Sequence, residues 1–66
     1  MIVTKEARDK INLISKKLLI AAKHQDRDEM YHLRNQIAEM VKKDEVPVQV
    51  LRNTDRAIYA YFYKYW

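Results

Sequence analysis

The stretch "VPVQVLRNTDRAIYAYFYKYW", Val46 to Trp66, decides the fold, because it supports two incompatible readings. Val46, Val48 and Val50 alternate with other residues, as do Tyr59, Tyr61, Tyr63 and Tyr65. Valine, tyrosine and phenylalanine favour strands, so the segment can be read as a β-hairpin turning at "RNTD". Such a turn has neither glycine nor the Asn-Gly or Asp-Gly pair that tight hairpins favour. Val50, Leu51, Thr54, Ile58, Tyr61, Phe62 and Tyr65 instead recur at helical spacing through the whole segment. A strand leaves "RNTDRA" as an interruption, whereas a helix absorbs it. The helical reading predicts a third helix over about 47–65, with Pro47 in its first turn and Asp44 or Glu45 nearby as cap. A C-terminal hairpin, and with it an α+β fold, is the alternative.

The rest of the chain leans the same way. Glycine is absent and proline occurs once among 66 residues, which disfavours architectures whose turns need positive φ. Ala7, Ile11, Ile14, Leu18, Ala21 and Ala22 form one apolar stripe, predicting a helix over about 4–23 with Thr4 as N-cap. Lys23 suits the negative end of that helix dipole. "HQDRDEM" supplies the break. Asp26 and Glu29 have capping-box spacing, and Met30, Leu33, Ile37, Met40 and Val41 form the inner face of a second helix over about 27–43. Its outer side carries Asp28, His32, Asn35, Glu39 and Lys42. The short link makes the first two helices antiparallel neighbours.

The expected architecture is therefore all-α, one small domain over 1–66, with an antiparallel helical hairpin and an aromatic third helix. Leu13 and Ile20 fall on the first helix almost opposite its core stripe, and Leu19 lies between the two. A helix with two apolar sides is expected to be sandwiched. A homodimer that buries Leu13 and Ile20 satisfies this, and it supplements the marginal core that so short a chain can enclose.

Composition removes several function classes. There is no cysteine, hence no disulfide, thiol nucleophile or thiolate metal site. Without glycine there is no phosphate-cradling loop. The lone Ser15 lies near the core stripe, where its hydroxyl can bond back to the backbone. His24 and His32 flank Asp28, but the break at Gln25–Asp26 separates the first histidine from the second helix, and no HExxH pattern occurs. No catalytic residue, cofactor or metal site is expected. The longest apolar run, Leu18 to Ala22, is far short of the ~20 residues that span a bilayer. The amino terminus lacks a signal-peptide pattern, so a complete short gene product of the cytoplasm is expected.

Two surfaces remain as candidate sites. Six of the seven aromatic residues fall in the last eight positions. On a helix, Tyr61, Phe62 and Tyr65 join Ile58 in the core, while Tyr59, Tyr63 and Trp66 share a neighbouring sector with Arg52, Asp55 and Arg56. Arginine beside rigid aromatic rings is a favoured interface anchor. Arg52, Arg56, Tyr59, Tyr63 and Trp66 thus point to a protein partner, with arginine stems expected to lie across tyrosine rings four residues along. The plainer alternative is that these rings fold onto the first helix. The second surface comes from charge. The net charge of +4 is concentrated in residues 4–23, with six basic and two acidic groups. Lys5, Arg8, Lys16 and Lys23 share one broad side of the first helix, a pattern that can bind phosphates, although Asp9 lies among them. The favoured expectation is a non-catalytic regulatory or inhibitory protein, homodimeric, that binds a larger protein; nucleic-acid binding through the first helix is the alternative.

Overall fold

The computed structural model describes residues 3–65, with side chains described for 3–63. It consists of three helices, with no strand among the described residues: α1 (Lys5–Lys23), α2 (Arg27–Lys42) and α3 (Val48–Ala60). A π-helical turn, Tyr61–Tyr65, continues α3. The hairpin alternative for Val46 onwards is thereby set aside, and the fold is the all-α three-helix unit.

The two expected N-caps form. Thr4 Oγ1 accepts from the Ala7 amide at 3.1 Å, and Asp26 Oδ1 accepts from the Glu29 amide at 3.2 Å. Each such bond satisfies a helix-end donor and contributes roughly 1 kcal/mol. The capping box around Asp26 differs from the expectation in one respect. The Asp26 amide, which the box would pair with Glu29, donates to the Ala21 carbonyl at 2.9 Å instead.

That bond belongs to the exit from α1. Gln25 has φ 54°, its amide bonds the Ala22 carbonyl at 3.1 Å, and the Asp26 bond closes the outer ring. This is a Schellman termination with glutamine in the left-handed position that glycine usually fills. α2 ends the same way. Asp44 has φ 59°, its amide bonds Val41, and the Glu45 amide reaches Met40 at 2.9 Å. Asp44 and Glu45 are thus occupied in ending α2 and cap nothing in α3, contrary to the sequence expectation. Pro47 itself is the N-cap residue, at φ −72° and ψ 153°, with no side-chain cap bond. The ring presets an extended residue ahead of the first turn and has no amide to satisfy.

The core gathers Ile14, Leu18 and Ala21 of α1, Met30, Leu33, Ile37 and Met40 of α2, and Ile58 of α3. Val46, in the link between α2 and α3, is fully buried and closes one end. Met30, Leu33 and Ile37 are also essentially sealed from solvent, which makes α2 the central helix. It packs along both α1 and α3, whereas α1 and α3 meet only glancingly. Three alanines of α1, Ala7, Ala21 and Ala22, are buried in the same core. α3 is tied to α2 by different means: Arg34 Nε donates to Asp55 Oδ1 at 3.0 Å, and Phe62 packs edge-on against Tyr31 with ring centroids 5.8 Å apart. No helix among the described residues is long and apolar enough to cross a membrane.

Candidate interaction surfaces

The aromatic tail divides between two jobs. Ile58 is buried and Tyr61 and Phe62 are half-buried, as helical spacing requires. Phe62 sits against α2 with the Arg27 guanidinium 4.8 Å from its ring centroid and the Tyr31 edge on another side. Tyr59 and Tyr63 point away from the bundle, 64% and 74% exposed, and their rings stack with centroids 4.4 Å apart. These are the most exposed large apolar side chains described. The π-turn that begins at Tyr61 widens the coil, so residues after Ala60 depart from the phase of a regular α-helix.

Arg52 and Arg56 are exposed on the same side of α3, so four of the five residues nominated for a partner surface share one face; Trp66 lies outside the described residues. Tyr65, expected in the core, lies outside the described side chains. The structure departs from the sequence reading in two details. Neither Arg52 nor Arg56 is seated over a tyrosine ring among the described residues; the cation–π contact falls between Arg27 and Phe62. Asp55, grouped with these arginines by spacing, turns towards α2 and holds Arg34 in a forked pair, with the second bond at 3.5 Å. That hydrogen bond, with the carboxylate's charge, raises the Arg34 guanidinium above its ordinary value. Arg34, Arg27 and Tyr31 escaped the sequence reading, because their partners lie far away in the chain.

α1 shows three surfaces. Leu13 and Ile20 are 54% and 57% exposed, on the far side from the core stripe. Lys5, Arg8, Lys16 and Lys23 are exposed as well. The third surface was not anticipated. Because α1 and α3 meet only glancingly, a groove of about 350 Å³ opens between them, lined by Ile11, Ser15 and Leu19 of α1, Val50 and Ala57 of α3 and Tyr61 of the π-turn. Ser15 therefore faces this groove and is exposed. Leu19 is 51% exposed there. His24 caps the end of α1, and His32 lies on the outer side of α2 with Nε2 3.2 Å from Gln36 Nε2.

No protein-family model, curated protein or solved structure matches this chain.

Proposed function

We propose a small cytoplasmic, non-catalytic interaction module, regulatory or inhibitory, that binds a larger protein through the α3 face carrying Arg52, Arg56, Tyr59 and Tyr63, with Trp66 next to it in sequence. One observation carries this reading. Tyr59 and Tyr63 are stacked on each other and left to solvent, while the neighbouring Phe62 takes up packing against α2. The fold consumes one part of the aromatic tail and leaves the other. Pre-stacked tyrosines offer large area with little side-chain entropy left to lose on binding. In the same proposal, Leu13 and Ile20 form the contact of a twofold dimer, supported by their exposure.

The test is capture from the native host with tagged wild-type protein and with Tyr59→Ala/Tyr63→Ala. Both side chains are exposed, so far-ultraviolet circular dichroism should be unchanged while recovery of the wild-type partner falls at least tenfold. Equal recovery by the two proteins rejects the assignment. Sedimentation of Leu13→Asp/Ile20→Asp tests the dimer separately.

The exposed basic side of α1 favours a second reading, in which Lys5, Arg8, Lys16 and Lys23 bind nucleic acid. Salt separates the two. Phosphate-driven binding falls steeply as salt rises, and an aromatic interface responds weakly.

A further inference from the structure

From its floor, length and rim, we infer that the groove between α1 and α3 receives an amphipathic helix with acidic flanks from a partner protein, as a fourth helix of the bundle. The groove lies on the side of α3 away from Tyr59 and Tyr63, so this is a second docking surface.

The floor calls for apolar side chains. Ile11, Leu19, Val50 and Ala57 line it, and two of its polar members are engaged within α3. Thr54 Oγ1 donates to the Val50 carbonyl at 2.9 Å, and Asn53 Oδ1 accepts from Gln49 Nε2 at 3.0 Å. The floor is thus mainly apolar, with the Ser15 hydroxyl at its α1 edge. An apolar one would cover Leu19, which is now half in water.

Length points to a helix. Ile11 to Leu19 spans eight residues, about 12 Å at the helical rise. That matches the distance over which a helix presents anchors at i, i+3 or i+4, and i+7. α1 and α3 run in the same direction on either side of it, since each is antiparallel to α2. An occupant antiparallel to both would repeat the arrangement of a four-helix bundle.

Charge selects among helical occupants. Arg8 lies three turns before Leu19 on the same side of α1, Lys16 one turn before it and Lys23 one turn after, all exposed. The α3 edge adds no charge of its own, because Arg56 belongs to the Tyr59 face on the other side of the helix. Asp9 is the acidic side chain of α1 nearest this rim, and Asp55 is engaged by Arg34 on the other side of α3. The rim is therefore basic along α1. A second copy of this chain is a poor occupant, because the stripe it could offer, Leu13 and Ile20, is flanked by Lys10 and Lys17 and would bring like charge to the rim.

The probe is a fluorescein-labelled 18-residue peptide with a leucine stripe at helical spacing and glutamates flanking it, compared with the same stripe flanked by lysines. Fluorescence anisotropy should show the acidic peptide binding at least tenfold more tightly. Leu19→Asp, at an exposed position, should weaken it tenfold or more. Ala57→Tyr, which fills the groove without adding charge, should do the same and serves if the first variant fails to fold. Tyr59→Ala/Tyr63→Ala should bind the peptide like wild type, so this groove and the α3 face fail independently. Equal binding of the two peptides, or of neither, overturns the inference. So does a dimer in sedimentation that Leu19→Asp dissolves, which assigns the groove to a second copy. An oligonucleotide that displaces the acidic peptide by binding at the groove residues, seen by amide shifts at Ser15 and Ala57, assigns it to nucleic acid.

Discussion

The two faces of α2 hold their neighbours in different ways. Towards α1 it offers sealed aliphatic surface: Leu33, Ile37 and Met40 share one buried cluster with Ile14, Leu18 and the α1 alanines. Towards α3 the contact is mixed. Ile58 is buried, but Val50, Leu51, Tyr61 and Phe62 are only half covered, and the rest depends on the Arg34–Asp55 pair and the Arg27–Phe62–Tyr31 cluster. Buried apolar area stabilises in proportion to its extent, at ~25 cal/mol per Å². Partly exposed ion pairs contribute little. The α1–α2 hairpin should thus be the firm part of the molecule and α3 the part that opens first, and α3 carries both proposed docking surfaces.

The largest effect should come from the firm side. Ile37→Ala removes a side chain that is 1% exposed and should cost about 3 kcal/mol, near the whole stability of so short a chain. Chemical denaturation should find the variant largely unfolded; a loss below about 1 kcal/mol would mean that α2 is not the central helix. Phe62→Ala acts on the mixed side, where the ring is only partly buried, and should cost about 1.5 kcal/mol. Its sharper signature is in hydrogen exchange. Amides of α3 should lose protection while those of α1 and α2 keep it. Uniform loss would erase the contrast between the two faces.

Smaller effects come from the connections. Gln25 occupies a left-handed conformation at φ 54°, which costs a residue with a Cβ on the order of 1 kcal/mol. Gln25→Gly should raise stability by about 0.5–1 kcal/mol, the greater flexibility of the unfolded chain offsetting part of the gain. A loss on thermal melting would refute the Schellman assignment. Arg34→Ala breaks a pair whose side chains are 32% and 49% exposed and should cost only about 0.5 kcal/mol, shrinking as salt rises. A cost above 2 kcal/mol would mean that the polar tie, and not Ile58, holds α3.

Much of this was legible in local pattern. The stripe from Ala7 to Ala22, the caps at Thr4 and Asp26, and the inward set from Met30 to Val41 depend on residues three or four apart. The sector of Tyr59 and Tyr63 was legible for the same reason. The exits were not. A chain without glycine gives no mark for a left-handed residue, so the roles of Gln25 and Asp44 and the burial of Val46 were hidden. Asp55 was assigned to the wrong company because its partner is 21 residues away.

Helical periodicity, then, was a property of the linear order of side chains, since 3.6 residues per turn converts spacing directly into a face. What only the assembled bundle decided was which faces would touch. The gap between α1 and α3 arises because both pack on α2 and barely on each other, and that packing comes from the summed bulk of contacts spread along the whole chain. No short window of letters contains them.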